Sequence, residues 1–328
     1  MMISRRDLIA CLALAPVVAW AQPAPGMHRI GTLSGRQSPK TKGDPLWPVF
    51  FENMRKLGYE EGRNVVYEFR YAEGVPARFP ELARQLVASG VNVIVFTGSS
   101  EAVALSKATS TIPLVGIHVG DPVGLGLAAS LARPSRNLTG STLYIPGFAA
   151  KSLEQLIEAF PGAKRIGVLA NPTQPNYPDD RRDLERVANS KSITLLPTVE
   201  ATRPEELDAA LERIAAEKPQ ALMVLNHALF IFQRKRVIEF LARAKVPAMH
   251  GYVEDVEAGG LMAYAVETRS LYARAPVFVD KILKGANPGD IPIEQPTRYG
   301  LWLNQKAARA LGTKFPTAVL TRAERLID

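Results

Sequence analysis

The sequence predicts an α/β fold with two doubly wound parallel-sheet lobes joined by a hinge. Apolar, β-branched runs alternate with segments whose apolar residues recur at helical spacing. This series occurs twice, because strand starts near residues 29, 64, 91 and 112 match those near 164, 193, 220 and 246. Strands that alternate with helices of about 10–15 residues indicate right-handed βαβ units, and therefore a parallel sheet in each half.

In the first half, short apolar runs predict strands and longer amphipathic runs predict helices. The predicted strands are HRIGTL (28–33), NVVYEFRY (64–71), VNVIVF (91–96) and IPLVGIH (112–118). The predicted helices are LWPVFFENMRKLGY (46–59), FPELARQLVAS (79–89) and EAVALSKAT (101–109). Pro80 suits the first turn of its helix, where a missing N–H group costs no hydrogen bond.

The second half repeats this order of strands and helices. Its predicted strands are KRIGVLAN (164–171), SITLLPTVE (192–200), QALMVLNH (220–227) and VPAMHGY (246–252). Its predicted helices are DDRRDLERVANS (179–190), RPEELDAALERIAAEK (203–218) and FQRKRVIEFLARA (232–244). Thr202 stands where an N-cap residue is expected, directly before the second of these helices.

The tail of the chain follows both series. Residues 257–288 predict a short strand and a long helix, and residues 291–312 predict a strand pair and a helix. One piece would complete each sheet, so we expect the first lobe to comprise 27–143 with 251–288, and the second lobe 144–250 with 289–328. The chain would then cross between the lobes about three times, which makes a hinge that favours closure around a ligand.

Residues 1–26 predict a secretory signal peptide. Arg5 and Arg6 precede an apolar run from Leu8 to Trp20, and small residues around Ala21 favour cleavage near 21/22. The run is shorter than the ~20 residues that a membrane span needs. We therefore expect export to the periplasm, either by the twin-arginine route that the adjacent arginines favour or by the Sec route.

Composition excludes several classes of function. Cys11 is the only cysteine and would be cleaved off, so the mature chain has neither a disulfide nor a cysteine nucleophile. The formal net charge is +8, but the basic residues are spread along the chain, which argues against a nucleic-acid partner. His28, His118, His227 and His250 lack metal-ligand spacing. We expect neither a metal nor a cofactor.

The candidate ligand contacts follow the predicted strands, because ligands of open parallel sheets bind beyond the carboxyl ends of the strands. They are Ser34, Gly35, Thr97, Gly98, Ser99, Ser100, Asp121, Asn171, Asn226, His227 and Tyr252. Thr97-Gly98-Ser99-Ser100 combines hydroxyl groups with exposed backbone N–H groups, which suits an anionic group. Helix capping is the alternative role for Ser99, Ser100 and Asp121, and packing is the alternative for His227.

Five segments together resemble a known family. They are LGYEEGRNVVYEFRYAEG (57–74), FTGSSEAVALSKATSTIPLV (96–115), GDPVGLGLAASLARPSRNLTG (120–140), AGGLMAYA (258–265) and ILKGANPGDIPIEQPTRYGLWLN (282–304). In this order and spacing the chain resembles the bacterial ABC transporter substrate-binding proteins related to tryptophan- and tyrosine-binding proteins, which have the type I periplasmic binding protein fold. The resemblance covers essentially the whole mature chain.

The resemblance implies a monomeric, non-enzymatic receptor. Such a receptor binds a small solute between its lobes and delivers it to an inner-membrane ABC permease with its ATPase. The solute of the family is often an aromatic or other amino acid. Asp121 matches the family's acidic loop residue, and Asn171-Pro172 and Asn176 match its second-lobe loop.

The chain departs from the family after the strand QALMVL. Many relatives carry an aspartate there that suits an ammonium group, whereas this chain has Asn226-His227, which offers no fixed negative charge at neutral pH. A carboxylate, an aromatic acid or a neutral solute is therefore favoured over an unmodified α-amino acid. Two alternatives stay open: a sensory protein that presents solute occupancy to a signalling partner, and a hydrolase that uses Ser99 and His227.

The export route can be tested at the adjacent arginines. We expect replacement of both Arg5 and Arg6 by lysine to abolish export, because the twin-arginine route reads the arginine pair itself while the Sec route needs only positive charge. Cell fractionation followed by immunoblotting measures the mature form in the periplasm. Undiminished export of the double variant would assign the protein to the Sec route.

Overall fold

The computed structural model describes residues 26–36, 46–297 and 299–328. The predicted signal peptide therefore lies, apart from Gly26, outside the described residues, and so do both arginines of the export signal. No helix in these three ranges has the length and apolar character needed to cross a membrane.

The described strands and helices alternate through most of the chain. The strands are β1 (His28–Ser34), β2 (Val65–Tyr71), β3 (Val93–Phe96), β4 (Leu114–Val119), β5 (Leu138–Thr142), β6 (Arg165–Ala170), β7 (Thr194–Leu195), β8 (Val199–Glu200), β9 (Ala221–Val224), β10 (Ala248–His250), β11 (Met262–Ala265), β12 (Gly300–Asn304) and β13 (Ala323–Ile327). The helices are α1 (Trp47–Lys56), α2 (Phe79–Ala88), α3 (Ser99–Ala108), α4 (Phe148–Ala159), α5 (Tyr177–Ser190), α6 (Leu207–Ala216), α7 (Ala228–Phe232), α8 (Arg234–Ala244), α9 (Val253–Glu257), α10 (Thr268–Leu283), α11 (Gln305–Ala310) and α12 (Thr317–Leu320).

The first lobe is built on a five-stranded parallel sheet of order β2-β1-β3-β4-β5. Its central strands β3 and β4 read as nearly continuous apolar runs, as expected for strands with helices on both faces. On one face α1 and α10 pack Trp47 and Tyr272 against the sheet, and on the other face α2 and α3 contribute Leu86 and Leu105. The strand order reverses at β1, so the carboxyl ends of β1 and β3 lie side by side at the sheet edge.

The second lobe is built on an eight-stranded sheet of order β13-β12-β11-β10-β9-β6-β7, with β8 also paired to β6. All of its pairs are parallel except β11–β12. Leu153 of α4 and Leu184 of α5 pack on one face, and Leu211 of α6 and Leu241 of α8 pack on the other. The predicted fold class, two doubly wound α/β lobes, is confirmed.

The tail divides between the lobes differently from the predicted boundaries. Met262–Ala265 is β11 and pairs with β10, so it belongs to the second sheet and not to the first lobe. Conversely, Ile291 and Ile293 pack in the two cores of the first lobe, and Glu294 bridges to Ser141. A short apolar run carries no information about which of two similar sheets it joins, so its pattern could not assign it.

One close backbone approach within the first lobe is testable. Gly140 has a φ of +128°, and a Cβ atom there would overlap the carbonyl oxygen of its β4 partner Gly116. We expect Gly140→Ala to lower the free energy of unfolding by about 2–4 kcal/mol, because both the backbone conformation and the strand pairing must yield. Chemical denaturation measures this change.

Gly162→Ala is the matched control, since a Cβ atom at Gly162 meets nothing within 4 Å and its φ is not positive. A similar loss of stability in both variants would contradict the explanation.

Candidate functional site

A cleft lies between the lobes, at the carboxyl ends of the parallel strands. Its cavity has a volume of about 130 Å³ and takes its lining from both lobes. Eight predicted contacts line it, namely Thr97, Gly98, Ser99, Ser100, Asn176, Asn226, His227 and Tyr252. The structure thus brings together residues that are far apart in the sequence, such as Thr97 and Tyr252.

The first-lobe wall is the junction between β3 and α3. Gly98 is the N-cap of α3 and provides no side-chain cap, and Gly98, Ser99 and Ser100 line the cleft where the helix begins. The Ser99 hydroxyl accepts a hydrogen bond from the Gly120 N–H at 2.9 Å. Ser100 is half-buried on the cleft wall. Neither serine caps α3, because Gly98 is the N-cap and Ser99 bonds to Gly120 instead, so ligand contact stays the prediction for both.

Glu101 is a cleft residue that sequence reasoning missed. Its side chain is 3% exposed and accepts hydrogen bonds from the Thr97 hydroxyl at 2.7 Å and from the Gly35 N–H at 3.0 Å. Burial raises the pKa of this carboxyl, although the hydrogen bonds oppose the rise. The carboxyl of the protein itself thus occupies part of the anion cradle that Thr97-Gly98-Ser99-Ser100 was predicted to offer a ligand.

The second-lobe wall begins where β9 ends. His227 is the N-cap of α7, and its Nδ1 accepts from the Leu229 N–H at 3.1 Å. Its Nε2 lies 3.5 Å from the Thr173 hydroxyl. Burial lowers the pKa of His227 to about 4, so the ring is neutral at pH 7. No hydrogen bond joins Ser99 to His227 within the described ranges, and the two residues do not form a nucleophile–base pair.

A second missed residue supplies negative charge to this wall. Asp180 of α5 lines the cleft and accepts a hydrogen bond from the Asn176 amide at 2.7 Å. Burial raises the pKa of Asp180 to about 7. The carboxylate that the sequence lacked after β9 is therefore present on a neighbouring helix. The Asn176–Asp180 spacing of four residues was the available signal, but the acidic run 179–180 resembled a solvated helix start.

Aromatic rings and an ion pair complete the cleft. Phe148, Tyr144 and Phe232 line it, and Phe148 stacks on Tyr264 with ring centroids 5.8 Å apart. Arg36 of the first lobe donates to Glu254 of α9 at 3.0 Å, and these side chains are only 19% and 13% exposed. The Phe232 ring packs directly over Gly35. The lobes are therefore in contact around the cavity.

Four predicted contacts do not line the cleft. Ser34 is fully buried and accepts from the Arg36 N–H, and Gly35 lies beneath Phe232. Asp121 accepts from the N–H groups of residues 123 and 124, so it caps its own turn. Asn171 is 2% exposed and holds its loop through the Thr173 N–H and hydroxyl. These residues follow the strand ends as predicted, but hydrogen bonds within their own loops hold the side chains of Ser34, Asp121 and Asn171, and Phe232 covers Gly35.

The family follows from comparison with known sequences. A sequence model described as "ABC transporter substrate binding protein" matches residues 49–327. The chain belongs to this family of ABC transporter substrate-binding proteins. A curated relative, the tyrosine-binding protein of Clostridioides difficile strain R20291, is 25% identical over 80% of the chain and 75% of its own length.

The fold is also similar to those of solved structures. A conserved domain protein from Vibrio cholerae is 28% identical, with a TM-score of 0.83 over 92% of this chain and 99% of that one. A Streptococcus pneumoniae ABC domain in complex with L-Trp is 24% identical, with a TM-score of 0.83 over 92% of this chain and all of that one. The latter shows the shared fold, and its ligand is a property of that protein.

The contact between Gly35 and Phe232 tests whether the lobes must approach this closely to hold a ligand. We expect Gly35→Ala to weaken solute affinity at least tenfold, because the added methyl group meets the Phe232 ring and pushes the lobes apart. Isothermal titration calorimetry measures the affinity, and small-angle scattering measures the radius of gyration with ligand bound. The double variant Gly35→Ala/Phe232→Ala should regain compactness. Unchanged affinity in the single variant would remove this contact from the closing mechanism.

Proposed function

We propose that the protein is an exported receptor of an ABC importer that captures a small aromatic, amino-acid-like solute in the interlobe cleft. It delivers this solute to an inner-membrane permease and its ATPase. The observation that carries the proposal is the cavity at the strand ends of both lobes, which combines aromatic walls with a few polar groups. The printed names of the relatives, a tyrosine-binding protein and a complex with L-Trp, support the aromatic class.

The cleft has the chemistry for such a solute. Its apolar part includes Leu143, Ile145, Phe148, Met223, Ile231 and Phe232. Its polar part includes Ser100, Asn226 and Tyr252. Flat apolar walls favour an aromatic ring, and polar groups at the strand ends fix its orientation.

Closure works by a shift of population. A solute that contacts both lobes stabilises the state in which Arg36 meets Glu254, because only that state satisfies both halves of the site. The permease would recognise the closed form. A ligand at a hundredfold excess over its Kd adds about 2.7 kcal/mol to the free energy of unfolding.

Thermal-shift screening of the mature protein tests the proposal, with L-tyrosine, L-tryptophan and aromatic acids as probes. We expect at least one probe to raise the melting temperature, and a strain without the protein to lose uptake of that probe. Ser100→Trp should abolish both effects, because it fills the cleft without removing a hydrogen bond that the structure describes.

Ser110→Trp is the control, since Ser110 is exposed and lies outside the cleft. A protein that none of these probes stabilises, in a strain whose uptake does not depend on it, would refute the aromatic receptor.

A further inference from the structure

We propose that Asp180 selects the charge class of the solute, and that the cleft takes a solute bearing a protonated amine which this carboxylate holds. The inference rests on the proposed receptor function and specifies one group of its ligand. It starts from the position of Asp180 in the first turn of α5, where the side chain lines the cavity.

Asp180 differs from the other acidic residues of α5. Asp179 pairs with Arg182, Asp183 pairs with Arg186, and Glu185 pairs with Arg181. All three pairs lie on the solvent side of the helix. Asp180 has no lysine, arginine or histidine within ion-pair distance in the described part of the chain. Its one hydrogen bond there comes from the Asn176 amide, which leaves Oδ1 without a partner among the described residues.

None of the described cleft residues forms an ion pair with this carboxylate. His118, His227 and His250 line the cavity, but burial lowers the pKa of each to about 4. Arg36 is already paired with Glu254, and Arg234, which donates to the carbonyl oxygen of Ile231, forms no ion pair with Asp180 among the described residues. A half-buried carboxylate without a counter-ion is unfavourable, and a cation from the ligand removes that cost.

Other carboxylates near Asp180 add negative charge to this part of the cleft, which favours a bound cation. Asp183 and Asp179 lie near it on α5, and their charges act together with burial, the largest cause, to raise its pKa to about 7. Tyr144, which lines the cleft from the segment before α4, lies near Asp179, Asp180 and the first-lobe residue Asp121. Closure therefore gathers negative charge around one phenol ring, and a bound ammonium group would offset this charge and could lie against the ring face.

This arrangement links binding to pH. Above pH 7 Asp180 is ionised and ready for an ammonium group, whereas below pH 7 the empty site holds a proton that the ligand must displace. A bound cation lowers the pKa of the carboxyl, so binding releases a proton near neutrality. Affinity for an amine should therefore fall as the pH drops from 8 to 5, by at most about tenfold per pH unit.

Three ligands with the same phenol ring test whether the cleft recognises the amine or the carboxylate of its solute. L-tyrosine carries both groups, tyramine carries only the amine, and 4-hydroxyphenylacetate carries only the carboxylate. Calorimetry at pH 8 should show binding of tyrosine and tyramine but not of 4-hydroxyphenylacetate. Asp180→Asn should weaken amine binding about 30-fold or more, because it removes one partner of a charge pair. It should also flatten the pH dependence.

The matched control is Glu185→Gln, an exposed carboxylate of the same helix that pairs with Arg181 and does not line the cleft, and it should change affinity less than threefold. Loss of amine affinity between pH 8 and pH 5 in the unaltered protein is an independent measurement, should Asp180→Asn fold poorly. Binding of 4-hydroxyphenylacetate alone, or an Asp180→Asn variant with unchanged amine affinity, would overturn the role of Asp180 and leave the receptor function intact. Failure of all three ligands would instead refute the aromatic ligand class, and with it this inference.

Discussion

The parallel direction of the strands is the constraint on which the rest of the structure depends. Parallel strands end at one edge of their sheet, so every βα junction of a lobe contributes to the same surface. The chain crosses between the lobes near residues 143, 266 and 295, and these crossings hold the two edges opposite each other. Two incomplete half-sites therefore form one cavity, although no single lobe contains it.

Within that cavity, burial has the largest effect on which side chains are charged. The same loss of hydration lowers the pKa of the imidazoles of His118 and His227 and raises the pKa of Glu101 and Asp180. Glu101 is compensated by hydrogen bonds that join the ends of β1 and β3, so its role is to shape the first-lobe wall. The Asp180 carboxyl accepts only one such bond. Glu101 therefore has a structural role, whereas the Asp180 carboxyl can still bind a ligand.

Hydrophobic periodicity was sufficient to predict the repeat, the two α/β lobes and a cleft at the strand ends, because each depends on local pattern. It could not place β11, since the choice of sheet is a tertiary contact between Met249 and Met262. It also missed Glu101 and Asp180, because an acidic residue in the first turn of a helix is typical of a solvated helix start. Asp121 and Asn171 were predicted as ligand contacts because they are polar and follow strands. Polar residues at strand ends also accept hydrogen bonds within their own turns, and these two do so.

In the closed state, contacts between the lobes favour closure, whereas the carboxylate of Asp180 disfavours closure without a ligand. Arg36–Glu254 and the packing of Phe232 over Gly35 hold the lobes together, whereas closure over an empty cavity buries the unpaired charge of Asp180. A site that fully satisfied its own polar groups would close without solute and give no signal of occupancy. Because one carboxylate is left uncompensated, the closed state gains most from a ligand that supplies the missing charge, and the free energy of that pairing is available to drive closure.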